Sequence, residues 1–312
     1  MGQREGEIRD IANALIDKFI GQGRTDLVKS YANPVPIRVI AMILGFPPDA
    51  AAKFRGWTDD FFQLVGRPDL SHQQVVTFWT GLLESERYIR DFVKERRQAP
   101  ANDLVSDLIV SVSDDGTPSL TDDEIVANTV QFIAAGTDTT AILITHMVYL
   151  LLRDRHRWEE VRADRSLIDA AVEETLRYRG PVRGLNRVVT RDCELGGVKL
   201  PKGARLYFMP ASANRDETQF EHADRFDMHR PNKSAHLAFS ALTHFCIGAP
   251  LARLEARVAL ECLMDRIPDL HMPQQDLQYV PNFVTPTPLT LQVEWDGELD
   301  LPTRHPVRRS RA

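Results

Sequence analysis

Phe239-Ser-Ala-Leu-Thr-His244-Phe-Cys246-Ile-Gly248-Ala-Pro250-Leu-Ala-Arg253-Leu-Glu255 is the segment from which the rest of the chain can be read outward. Pro250 and the Leu-Ala-Arg-Leu-Glu run that follows it mark a helix start. A cysteine just ahead of a helix faces unpaired backbone N–H groups and the positive end of the helix dipole, which favours thiolate over thiol. A thiolate held in this way can ligate a haem iron from one side. Gly248 would let a flat macrocycle approach the backbone. The segment alone also admits a buried structural cysteine, which is what most free cysteines are.

A second segment carries chemistry. Thr121-Asp-Asp-Glu124 is a capping box that opens a helix running to about Leu152. Its middle reads Ala134-Ala135-Gly136-Thr137-Asp138-Thr139-Thr140, a run of poor helix formers in which Gly136 costs about 1 kcal/mol. One reading is a local bulge that opens a groove, with threonine hydroxyls replacing backbone hydrogen bonds. In such a groove Asp138 can supply protons and the Thr139 hydroxyl can donate to reduced oxygen. The other reading is a small-residue face used for packing. Further on, Glu174-Thr-Leu-Arg177 sets a carboxylate and a guanidinium three apart on one helix face, in most helices an ordinary surface pair.

Together these segments resemble the cytochrome P450 family. Phe239, His244, Cys246 and Gly248 match its F-G-x-G-x-H-x-C-x-G loop, and Ser240 and Leu242 stand where that pattern has glycines. Ala135-Gly136-Thr137-Asp138-Thr139 matches its [AG]-G-x-[DE]-T motif, and Glu174 and Arg177 match its E-x-x-R helix. The resemblance implies a third arginine, Arg230, completing a structural triad with Glu174 and Arg177, and implies that Arg187 and His244 meet haem propionates. Ala135, Gly136, Phe239 and Gly248 would border the haem, with Cys246 as the metal ligand. Phe132, Ile133, Val182, Leu185, Phe283 and Val284 would line an apolar substrate pocket. If Ser240 and Leu242 occupy positions that need positive φ, each costs about 1–2 kcal/mol.

Composition sets the outer bounds. The chain has 312 residues, 43% of them hydrophobic, and a net charge of −6, which argues against a general polyanion-binding surface and so against nucleic acid. Three cysteines, Cys193, Cys246 and Cys262, are too few and too unevenly spaced for a disulfide framework or zinc site and suit a reducing compartment. No apolar run approaches the roughly 18 residues of a membrane span, so neither a membrane anchor nor a signal peptide is expected. Ile8, Ile11, Ala12, Leu15, Ile16 and Phe19 recur at helical spacing, and helical patterns follow near 35–44, 49–65, 72–97, 103–112, 154–163, 166–178 and 248–266. Hairpins are expected within 187–209, and short strands near 269–272 and 289–295.

The expectation is a mainly α fold with small β-sheets, a cytochrome P450-like haem-thiolate domain over residues 1–296 and a disordered Arg-rich tail over 297–312. The resemblance implies haem b as cofactor and O2 as co-substrate. The function it implies is monooxygenation of a small apolar substrate with electrons from a ferredoxin-type donor, in the cytoplasm and as in the soluble bacterial members. Roughly the first quarter of a typical member has no counterpart here, which is expected to leave one haem edge and some apolar surface uncovered. Two rival expectations follow: a haem-free helper subunit of a partner enzyme, and an inactive truncated fragment.

Overall fold

In the computed structural model, which describes residues 2–113 and 116–296, helix dominates. Its helices are α1 (Gly2–Ile16), α2 (Pro34–Leu44), α3 (Ala50–Gly66), α4 (His72–Gln98), α5 (Leu104–Val110), α6 (Asp122–Leu152), α7 (Arg155–Ala163), α8 (Ile168–Arg179), α9 (Pro210–Ala213) and α10 (Ala249–Arg266). Three two-stranded antiparallel sheets complete it: β1 (Arg24–Asp26) with β6 (Gln292–Glu294), β2 (Leu185–Val188) with β5 (Arg205–Phe208), and β3 (Cys193–Leu195) with β4 (Val198–Leu200). The expected tail, 297–312, lies outside the described residues.

α6 organises the interior. Its capping box forms as the sequence predicts: the Thr121 N–H donates to Glu124 Oε2 at 2.8 Å, and the Glu124 N–H donates to Thr121 Oγ1 at 3.3 Å. Asp122, Asp123 and Glu124 put negative charge on the positive dipole end. Beyond that first turn the helix enters two apolar clusters. Ile125, Val126 and Ile133 pack with Ile40, Phe54, Ile89 and Phe92 of α2, α3 and α4. Leu143 to Leu152 pack with Ile8, Ala12, Leu176, Val258 and Leu263 of α1, α8 and α10. By length and composition α6 could cross a membrane, contrary to the expectation that no apolar run comes near that length. Its most apolar window is 83% buried inside the protein, so the apolarity serves the core.

Most other elements fall close to their expected bounds, whereas β1 and α9 have no expected counterpart. Near 269–272 there is only a single bridge, His271 to Glu294, and the true partner of β6 is β1. A π-helical turn, Val28–Ala32, follows β1 and was not expected. α2 ends at Gly45 with φ of 83°, a conformation only glycine takes without strain; a Cβ there would also strike the Asp103 carboxylate.

Glu174 and Arg177 on α8 form a fully buried ion pair. Arg177 Nε and Nη2 donate to the two Glu174 oxygens, both at 2.7 Å. The remaining guanidinium hydrogens go to the carbonyls of Asn214, Ala223 and Arg225 at 3.0, 2.9 and 2.8 Å. Glu174 Oε1 also accepts the Asp227 N–H at 2.8 Å, and Arg230 Nε stands 3.5 Å from it. Arg230 sends its other donors to the carbonyls of Glu221, His222 and Arg225. A long aperiodic loop is thus wound around one ion pair. Removing one partner of such a pair leaves a buried charge unmatched, at a cost of about 3–5 kcal/mol. Glu174→Ala should therefore lower the unfolding free energy by about that amount, a large part of the whole for an ordinary domain; chemical denaturation would measure it.

Candidate active site

The cysteine loop is built on backbone hydrogen bonds. The Ser240 N–H donates to Leu237 O at 3.0 Å, that of Phe245 to Leu242 O at 3.0 Å, and that of Cys246 to Phe239 O at 2.9 Å. Ser240 and Leu242 adopt φ of 61° and 55°. The two positions where the family pattern has glycine therefore require the left-handed region here, and two side chains are strained to occupy it. Leu242 is 92% exposed, so its bulk is turned out of the loop.

Cys246 is exposed and lies three residues ahead of Ala249, where α10 begins. A Cβ at Gly248 would stand 3.7 Å from Cys246 Sγ, so glycine keeps the space beside the sulfur clear. Of the other cysteines, Cys193 lies on β3 and Cys262 is buried in α10, where burial pushes its thiol up to about 11. His244 is exposed at the end of a short 3-10 turn. Arg187 lies on β2, its Nη1 donating to Asn186 O at 2.9 Å. Among the described residues neither makes an ion pair, so both side chains are free to donate to an anionic ligand.

The motif on α6 contains no break. The helix is continuous from Asp122 to Leu152, and the expected bulge is absent. The hydroxyls of Thr137 and Thr139 instead donate to the carbonyls four residues back, Ile133 and Ala135, each at 2.6 Å, adding to the ladder rather than replacing it. Gly136 serves packing: its Cβ position is 3.5 Å from Ile40 Cδ1 of α2. Gln131 and Ala135 are exposed and Phe132, Gly136 and Thr139 half-buried, giving α6 one open strip. Asp138 is turned inward. Burial pushes its carboxyl up to about 6, against the pull of the Arg55 guanidinium, whose Nη1 is 3.3 Å from Asp138 Oδ1, and with a further push from Asp59. Arg55, on α3, also donates through Nε to Asp59 at 3.0 Å, and its place beside Asp138 was not read from the sequence.

The expected pocket residues divide. The Arg183 N–H donates to Val284 O at 2.8 Å, which joins the 182–186 and 282–288 segments and brings Val182, Leu185, Phe283 and Val284 together. Tyr207 of β5 donates to Phe283 O, and Asn282 Nδ2 donates to Phe62 O of α3 at 2.9 Å. Ile133 departs from this group: it is buried against α3 and α4, beside Trp57, Phe61 and Ile89, and does not share the open strip. The large surface cleft of about 1320 Å³ lined by Arg153, Tyr178, Asp227 and Arg230 belongs to the triad loop and is charged, unlike the apolar pocket expected.

Glu173, next to the triad glutamate, was not singled out from the sequence. Arg253 of α10 grips it through Nε and Nη2 at 2.6 and 3.1 Å, and His236 Nε2 lies 3.4 Å away. Burial alone would raise its carboxyl, but the hydrogen bonds and charges of His236 and Arg253 outweigh that and hold it down at about 2.

Comparison with known proteins agrees with this geometry. The family model described as Cytochrome P450 matches residues 72–293. The monooxygenase PikC of Streptomyces venezuelae is 36% identical over 293 residues, covering 92% of this chain and 68% of its own length. The structure of cytochrome P450 CYP109Q5 from Chondromyces apiculatus superposes with a TM-score of 0.85 at 36% identity, covering 94% of this chain and 72% of that one. Cytochrome P450 CREJ, solved in complex with (4-ethylphenyl) dihydrogen phosphate, superposes with a TM-score of 0.89 at 28% identity, covering 94% and 72%. The chain belongs to the cytochrome P450 family, monooxygenases that carry haem b and take O2 as co-substrate.

Two outcomes follow. Ser240→Gly and Leu242→Gly should each stabilise the protein by about 1 kcal/mol, the relief of left-handed strain less the chain entropy of glycine, as read by denaturant midpoints. Asp138 holds its proton to about pH 6 when folded but releases it near 3.8 when unfolded. Its contribution to stability is complete below 3.8 and is lost as pH rises to about 6. Asp138→Asn removes that loss, so its unfolding free energy relative to wild type should rise by up to about 3 kcal/mol between pH 4 and 7.

Proposed function

We propose that this chain inserts one oxygen atom of O2 into a small apolar molecule, the other leaving as water, with electrons supplied by a ferredoxin-type donor on the cysteine side. The observation that carries the proposal is the clear, exposed sulfur of Cys246 on a loop of the family's pattern, ahead of a helix N-terminus. A haem bound there supplies the redox chemistry of oxygen cleavage, and a thiolate ligand favours that cleavage.

The chain's own residues would then act as follows. Cys246 ligates the iron through Sγ. Arg187 and His244 meet the propionates by charge-assisted hydrogen bonds. Phe239 backs the cysteine loop, and Ala135 and Gly248, with little or no side chain, leave room for a flat ring, with Gly136 next to Ala135 packed on α2. Asp138, still protonated near pH 6, delivers protons from its carboxyl oxygen, and Thr139 Oγ1 passes them on. Phe132, Val182, Leu185, Phe283 and Val284 give an apolar wall that excludes water and favours an apolar substrate. The reading treats residues 1–296 as one domain acting in the cytoplasm, in keeping with the bacterial origin of PikC and with few cysteines.

The strained Ser240 and Leu242 favour a second reading, a haem-free helper of a partner enzyme. The colour of the purified protein separates the two.

In the reduced protein, carbon monoxide should give the red-shifted Soret band of thiolate ligation. Cys246→Ala should abolish it, while Cys193→Ala and Cys262→Ala leave it unchanged; a band that survives in Cys246→Ala would remove this assignment. Thr139→Ala should retain haem yet divert reducing equivalents to hydrogen peroxide, lowering the product formed per O2 consumed.

A further inference from the structure

Glu173 and Glu174 are adjacent on α8 but hold different things. Glu174 turns into the triad and fixes the 214–230 loop through Arg177 and Arg230. Glu173 takes the first turns of α10 through Arg253, at 2.6 and 3.1 Å. The Arg253 guanidinium lies over the Phe239 ring, 4.6 Å from its centroid, and Phe239 O accepts the Cys246 N–H. His236 closes the arrangement. Its Nδ1 accepts the Ala238 N–H at 3.2 Å, and its Nε2 faces Glu173 Oε2 at 3.4 Å. Its ring centroid is 6.1 Å from that of Phe239.

We propose that Glu173, Arg253 and His236 form a clamp that positions the cysteine loop, acting on Cys246 through the ring and the carbonyl of Phe239. The physical argument concerns strain. Ser240 and Leu242 sit in the left-handed region at a cost the loop must absorb. Backbone hydrogen bonds on an exposed loop open easily unless something packed holds them. The clamp is the packed element: a bidentate charge-assisted pair that flattens a guanidinium on an aromatic face. It reaches the loop from α8 and α10 at once, so both walls of the cysteine segment are joined by one carboxylate. A family member with glycine at the two strained positions would need such a clamp less than this chain does.

The meaning of the clamp for catalysis rests on Cys246 as the iron ligand; its mechanical effect does not, and the test separates the two. Amide hydrogen exchange is followed on the full chain, with and without haem, for wild type, Glu173→Gln, Arg253→Ala and Arg253→Lys. In Glu173→Gln and Arg253→Ala, exchange across residues 239–246 should quicken about tenfold, about 1.4 kcal/mol of local opening, while α6 and α8 keep their protection. Arg253→Lys retains the charge and should restore part of it. With haem bound, the same two variants should shift the carbon monoxide complex from the thiolate-type toward the blue-shifted thiol-type band. Unchanged exchange at 239–246 in folded Glu173→Gln and Arg253→Ala overturns the clamp, as does a uniform rise over α6, α8 and α10. A thiolate band that persists in Cys246→Ala removes the ligand assignment and leaves the exchange result standing.

Discussion

The structure depends on one buried ion pair. Glu174 and Arg177 sit where a charge has almost no access to water, and such a pair is tolerable only if every donor and every lone pair is used. Here the guanidinium spends its hydrogens on the carboxylate and three carbonyls, and the carboxylate takes the Asp227 N–H as well. Because those carbonyls belong to Asn214, Ala223 and Arg225, satisfying the pair also dictates the path of a loop with no regular structure. The influence reaches the cysteine: Asn214 gives its carbonyl to Arg177 and its Oδ1 to the Leu237 N–H at 2.7 Å, and the Leu237 carbonyl takes the Ser240 N–H. A purely apolar core could stabilise α8 equally well, but it could not specify that route.

α6 meets two demands that pull in opposite directions. A helix through the middle of a domain should be apolar and close-packed, and its half from Leu143 to Leu152 is. The half that faces the candidate site needs a small residue, a protonatable acid and a hydroxyl. The conflict is resolved without breaking the helix. Gly136 lets α2 come close, the threonine hydroxyls bond to carbonyls of their own helix, and Asp138 is buried beside a guanidinium from α3. Burial and Arg55 act against each other on that carboxyl, and burial wins, which holds its proton to about pH 6.

Much of this was legible in the sequence because the signals are local. A capping box, a proline at a helix start and helical periodicity each lie within a few residues, so α6, α10 and most of the other helices could be drawn in advance. The cysteine loop was legible because its pattern combines a thiol, a histidine and a glycine at close spacing. The departures at Ser240 and Leu242 also carried information, since glycine in a pattern signals a backbone angle and the angle is present. The failures concern partners far apart in the chain. β6 was expected but its partner was not: β1 is a three-residue strand near the other end of the chain, too short for alternation to be seen. Ile133 was assigned to the pocket because its neighbours in sequence belong there, yet one step around a helix turns it to α3 and α4.

The sequence by itself determined which residue types could do the chemistry and which segments were helix, because both follow from local spacing and side-chain identity. It also determined that positions 240 and 242 would be strained if the loop closed in the family's manner. Only the tertiary structure decided the environments. The E-x-x-R spacing singles out Glu174 for the triad, but its neighbour Glu173 gains a role only when a 100° turn of the helix sends it to Arg253. An aspartate in a motif is only a carboxylate until α3 brings Arg55 to it and the core withdraws it from water. Charge, desolvation and reach depend on what surrounds a group in space, and residues hundreds of positions apart meet only when the chain has folded.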